Sequence, residues 1–165
     1  MTIPIVCVVG KSGTGKTTFL ERLIPELKRR GYRVATIKHN FDGFEVDRPG
    51  KDSWRHSQAG SDVVFIASTH KLAMIERSER DLTLDVVAAR ITDVDIILTE
   101  GYKHSDKPKI EIFRSEVGDE LLSNPDDLVA LVTDRSFDLD VPQFGLGDAA
   151  GVASLLESQF LHNST

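Results

Sequence analysis

Eight residues, Gly10-Lys11-Ser12-Gly13-Thr14-Gly15-Lys16-Thr17, stand between the apolar run Ile3 to Val9 and the start of a helical pattern. A glycine-rich turn joining a strand to a helix in this spacing is a phosphate-binding P-loop, which commits the chain to an α/β fold built round a buried parallel strand. Glycines let successive backbone N–H groups curl round an anion, and the first turn of the following helix adds its positive dipole end. Lys16 is placed to reach the β- and γ-phosphates of a nucleoside triphosphate, and Thr17 to offer its hydroxyl to Mg²⁺.

A chain of 165 residues with 40% hydrophobic content supports one domain, expected to span 1–165, with a core of its own. The formal net charge is −6, so a broad nucleic-acid footprint, which needs a clustered basic excess, is not expected. No apolar run is long enough for a membrane span, and Met1-Thr2-Ile3-Pro4 lacks the basic start of a signal peptide. A cytoplasmic location is therefore expected. The single cysteine, Cys7, lies within the first apolar strand and reads as a core residue.

Apolar spacing predicts a helix over 18–30 with Pro25 kinking it, a strand over 33–39, a polar loop over 40–50, and a short helix over 51–59 capped by Asp52 or Ser53. Strands at 62–67 and 72–77 are joined by only Ser68-Thr69-His70-Lys71, which predicts a hairpin adding antiparallel strands to an otherwise parallel sheet. A helix over 82–91, strands at 94–98, 110–113 and 128–132, and a closing helix over 148–160 capped by Asp148 follow. The alternation gives a three-layer P-loop nucleoside-triphosphatase fold with a mostly parallel sheet.

A P-loop site needs a second acid at the end of a neighbouring buried strand to hold Mg²⁺ directly or through water. Glu100 follows the apolar run Ile96-Ile97-Leu98 and precedes Gly101, which places it there. Asp95 enters the same strand at its far end, about 15 Å away at ~3.3 Å per residue, and is not a metal candidate. The loop after the second strand carries Lys38, His39, Asp47, Arg48, Lys51 and Arg55 at the carboxyl end of the sheet, where ligands of such folds bind. Asp47 is a further candidate for Mg²⁺ or its waters. Lys38, His39, Arg48, Lys51 and Arg55 are candidates for a second substrate, and His39 or His56 for proton transfer. Asp134, after the strand at 128–132, offers a carboxylate to N1–H and N2–H₂ of guanine, a donor pair that adenine lacks.

Taken together, the P-loop, Thr36-Ile37-Lys38-His39, Asp47-Arg48-Pro49-Gly50-Lys51-Asp52-Ser53, Arg55, Ala59-Gly60 and Ile97-Leu98-Thr99-Glu100-Gly101-Tyr102-Lys103 resemble the molybdopterin-guanine dinucleotide biosynthesis adapter family over roughly 3–160. The resemblance implies a small GTP- and Mg²⁺-binding protein with weak GTP hydrolysis, a homodimer that assists the molybdopterin guanylyltransferase attaching GMP to molybdopterin. It implies that Gly10 to Thr18 hold phosphates, Thr17 and Glu100 hold Mg²⁺, and Asp47 to Arg55 form a loop facing nucleotide or pterin. Lys11 departs from that pattern, because dimeric ATPases of a related branch place there a lysine that reaches across the dimer. Here Lys11 is read as an exposed loop lysine. The competing reading is a P-loop small-molecule kinase or ligase using ATP, with Arg77 and Arg80 as a poor substitute for an arginine lid. Finally, Val63, Phe65, Ala67, Leu72 and Met74 on the hairpin form an apolar surface that predicts self-association, unless the helix over 82–91 covers it.

Overall fold

The computed structural model describes residues 2–40 and 43–161, in two compact units: one made of the segments up to residue 39 and from residue 84 onward, the other of residues 40–83. Phe41 and Asp42, part of the loop expected over 40–50, lie outside the described residues.

The first unit is organised by strand β1 (Ile5–Val9), which leads through the P-loop into helix α1 (Lys16–Arg29). Strand β2 (Val34–Lys38) follows; after the second unit come helix α3 (Leu84–Ala88), strands β5 (Ile96–Glu100), β6 (Lys109–Phe113), β7 (Leu128–Thr133) and β8 (Gln143–Phe144), and helix α4 (Ala149–Leu156). The strands form one parallel sheet in the order β2-β5-β1-β6-β7-β8. Because both faces are covered, its strands read as continuous apolar runs rather than alternations. Val6, Val8, Ile96, Leu98, Ile110, Ile112, Ala130 and Val132 pack against Phe19, Leu20, Leu23 and Leu27 of α1 and Val152, Ala153 and Leu156 of α4. Cys7, Val9, Ile37 and Ile97 face the other way, onto Leu84 and Ala88 of α3. That division is the expected three-layer arrangement. Cys7 is fully buried, as expected, with its Sγ 3.3 Å from Ser105 Oγ.

Helix α1 continues past Pro25 and ends at Arg29, with Arg30 bridging Glu26 and Glu157. Asp148 caps α4 as expected, accepting from Gly151 N at 2.9 Å, but the α-helix stops at Leu156 and a π-helical turn carries on to Leu161. Sequence spacing did not reveal β8, whose two residues are too few to show a period. Strand β6 starts one residue earlier than expected because Lys109 is inside. Its Nζ donates to Ser105 O at 2.8 Å and to Asp127 Oδ2 at 3.1 Å. The neighbouring Glu111, 1% exposed, accepts from Leu122 N at 2.7 Å and Ser123 N at 2.9 Å.

The second unit holds helix α2 (Asp52–Gln58) and strands β3 (Val63–Ala67) and β4 (Leu72–Glu76). The hairpin is antiparallel, as expected, with Phe65 opposite Met74 and Ala67 opposite Leu72, but it does not extend the parallel sheet: β3 and β4 form a separate two-stranded sheet. At the start of α2 the expected cap is corrected. Lys51 occupies the cap position without a side-chain bond, and Asp52 lies in the first helical turn, where its charge complements the helix dipole.

Candidate functional site

Gly10 opens the loop at φ +149, with the position of a Cβ only 2.4 Å from Ile112 O, so no side chain fits there. Thr14 is buried; its Oγ1 donates to Lys11 O at 2.9 Å and closes the turn. Ser12, Gly13, Thr17 and Thr18 remain exposed, and the loop is therefore open to a ligand. Lys16 Nζ folds back onto Gly10 O at 2.9 Å and Lys11 O at 3.1 Å. Burial pulls its pKa below the usual lysine value, with Glu100 opposing that shift and Lys38 adding to it.

β5 lies next to β1, with Glu100 paired in register with Val8 on one side and Lys38 on the other. This adjacency brings the two expected metal-side residues together: Thr17 Oγ1 donates to Glu100 Oε1 at 2.9 Å and Oε2 at 3.0 Å. Lys38 Nζ stands 3.5 Å from Glu100 Oε1 and balances its charge. His39 stacks on Tyr102 with ring centroids 4.3 Å apart. Asp95 accepts from Arg33 N at the opposite end of β5, away from the loop as expected.

On the other flank of β1, Asp134 follows β7 and takes both the main-chain N–H of Ser115 (3.0 and 3.1 Å) and its hydroxyl (2.8 Å). The Ser115 hydroxyl, then its backbone N–H, lower the pKa of Asp134, so its carboxylate stays ionised and acceptor-only. Two donors use about half of a carboxylate's lone-pair sites. Lys11 is not the exposed lysine expected: it is half-buried, and a Cβ on Gly118 would come within 2.5 Å of its Nζ. The reason is the segment after β6, whose return past the P-loop sequence spacing does not reveal. Arg114, on that segment, donates from Nε to Thr14 O at 2.9 Å. Neither Arg114 nor Ser115 stood out in the sequence, because only the position of β6 beside β1 brings them to the loop.

The remaining candidates belong to the second unit. Asp47 Oδ1 accepts from Arg48 N at 2.9 Å, whereas its Oδ2 is buried without a hydrogen-bond partner among the described residues. Arg48 and Lys51 are exposed. Arg55, with Asp52, His56 and Ala59, lines an open cleft of about 420 Å³ along α2. Among the described residues no cluster of three His, Cys, Asp or Glu could by itself hold a metal, and no helix is long and apolar enough to cross a membrane.

With a P-loop strand, a carboxylate on the adjacent strand and this sheet order in place, comparison with known proteins decides the family. The model of the MobB family, described as molybdopterin guanine dinucleotide synthesis protein B, matches residues 5–134. The chain belongs to the MobB family. It is 35% identical over 162 residues to the molybdopterin-guanine dinucleotide biosynthesis adapter protein of Haemophilus influenzae, covering 97% of this chain and 91% of that protein. With the adapter protein of the same name from Escherichia coli it is 37% identical over 164 residues, 93% and 91% of the two chains. The crystal structure of Bacillus subtilis MobB superposes with a TM-score of 0.75 at 28% identity, over 96% of this chain and 98% of that one. A second crystal structure, of molybdopterin-guanine biosynthesis protein B, gives 0.73 at 29% identity over 93% and 98%. Membership of the MobB family assigns the chain to molybdopterin-guanine dinucleotide biosynthesis as an adapter, and these structures share its parallel sheet with a separate hairpin.

Proposed function

We propose that this MobB-family chain binds GTP with Mg²⁺ and, as a homodimer, assists a molybdopterin guanylyltransferase in joining GMP to molybdopterin, with at most weak GTP hydrolysis of its own. The observation that carries the reading is the Thr17–Glu100 pair beside the open P-loop, two oxygen donors already 2.9 Å apart on adjoining elements. Oxygen donors suit Mg²⁺, which keeps several waters and shares phosphate oxygens rather than needing an all-protein cage. Thr17 and Glu100 would hold the cation; in the second unit, Asp47 Oδ2 is a buried carboxylate oxygen without a hydrogen-bond partner among the described residues. Bound Mg²⁺ would neutralise charge on the β- and γ-phosphates. Gly10 to Thr18 would wrap those phosphates, with Lys16 released from its carbonyls to meet them. Asp134, ionised and with acceptor capacity to spare, is the group suited to the two N–H donors of guanine. Lys38 and His39 in the first unit, and separately Arg48, Lys51 and Arg55 in the second, are basic groups suited to the phosphate of molybdopterin. In a guanylyltransferase reaction supplied with GTP and molybdopterin, adding the chain should raise the yield of the dinucleotide; an unchanged yield would contradict the adapter reading.

Self-association rests on the hairpin. Val63, Phe65, Leu72 and Met74 point to one face of the β3–β4 sheet, where Phe65 is 59% and Leu72 65% exposed. Helix α3 packs Leu84 and Ala88 on the parallel sheet. An apolar sheet face of this kind is covered most readily by its own copy. Phe65→Asp should convert a dimer of twice 18.3 kDa into an 18.3 kDa species in light scattering while nucleotide binding persists. A wild-type chain of 18.3 kDa at every concentration would exclude the dimer.

A further inference from the structure

We propose that Arg114 is a positioning residue of the nucleotide site, holding the peptide between Thr14 and Gly15 so that the Gly15 N–H faces the bound phosphates; this rests on the nucleotide-binding reading above. In a trans peptide the C=O and the following N–H point in opposite directions, so fixing one aims the other. Arg114 Nε fixes the C=O, donating to Thr14 O at 2.9 Å. Gly15 is where such a hold matters. It sits at φ +95 as the cap of α1 with no side-chain cap bond, and a glycine peptide turns over with little steric resistance. Turned over, this peptide would aim a carbonyl oxygen at the phosphates instead of a donor.

The guanidinium is placed for this task. It lies beside the turn, with Nη2 3.5 Å and Nε 3.6 Å from the position of a Cβ on Gly15, an ordinary contact distance, so it is the positive φ of +95 that asks for glycine there. Its own backbone is tied down from the next residue by the Ser115–Asp134 bonds, and Nη1 lies 3.7 Å from Glu116 Oε1. Further along, Lys11 rests on Gly118. The segment from Arg114 to Gly118 thus straps the phosphate loop to the end of β7, and a short stretch after β6 keeps the phosphate and base sides of the site in register. A charged donor on a neutral carbonyl makes one of the stronger hydrogen bonds available to the loop.

Three readouts test the proposal together: calorimetry with Mg·GTP and Mg·ATP, melting temperature, and amide hydrogen exchange across residues 13–16. For Arg114→Ala the expected result is about a tenfold loss of affinity for GTP and ATP alike, an unchanged ratio between the two, and faster exchange confined to the loop. Arg114→Lys, whose ammonium can still donate to Thr14 O, should recover most of the affinity. Wild-type affinity and wild-type loop exchange in Arg114→Ala would overturn the proposal. So would a loss confined to GTP, which would move Arg114 to the base side. If Arg114→Ala does not fold, Arg114→Met, which keeps an apolar stem but cannot donate to Thr14 O, carries the test: measurably faster loop exchange with the melting temperature kept supports the proposal, and exchange identical to wild type overturns it. If the wild type binds neither nucleotide, the nucleotide reading fails, and exchange at Thr14, whose N–H donates to Lys11 O at 3.3 Å within the loop, measured without ligand, still decides whether Arg114 holds this turn.

Discussion

Lys16→Ala should weaken Mg·GTP binding by roughly 100-fold, or about 3 kcal/mol, because the phosphates lose a charge-assisted donor aimed at them from inside the loop. In the ligand-free chain the same ammonium only satisfies two carbonyls at the edge of the loop, Gly10 O and Lys11 O, which water can serve instead. The melting temperature should therefore move little. Isothermal titration of wild type and variant checks both parts, and unchanged affinity would remove the P-loop from the account.

The second large effect is on stability. Glu111→Ala should destabilise the fold by about 3 kcal/mol in urea denaturation, since it strips the acceptor from two backbone N–H groups, those of Leu122 and Ser123. These bonds anchor the far end of the segment that starts at Arg114, so loss of nucleotide affinity should accompany the loss of stability. A change below about 1 kcal/mol, within the range of ordinary surface substitutions, would show that water replaces the carboxylate there.

Which parts of this were legible in the sequence follows from the range of the interaction involved. The P-loop, α1, Glu100 at the end of β5 and Asp148 at the start of α4 were readable because each depends on neighbours within a few residues: a glycine spacing, an apolar run ended by a carboxylate, a cap. The Thr17–Glu100 contact could be anticipated only from the general layout of P-loop sites, since 83 residues separate the pair. Arg114, Ser115 and the half-burial of Lys11 were not readable, because they depend on β6 lying next to β1, and no local pattern encodes strand order. The burial of Lys109 and Glu111 was not readable for a related reason. Their alternation with Ile110 and Ile112 imitates a strand with one wet face, whereas both are buried by partners, Asp127 and the backbone of Leu122 and Ser123, which lie 11–18 residues further on. The hairpin was readable as a hairpin, but its separation from the parallel sheet was not: a four-residue connection fixes the pairing of two strands and nothing about which sheet they join.

The central claim, a MobB-family chain whose P-loop holds GTP, is tested most directly by titrating the purified protein with GTP and with ATP, each in Mg²⁺ and in EDTA. The account predicts that GTP binds more tightly than ATP and that Mg²⁺ strengthens its binding, as Thr17, Glu100 and the ionised Asp134 require. Equal binding of GTP and ATP, indifferent to Mg²⁺, would contradict it.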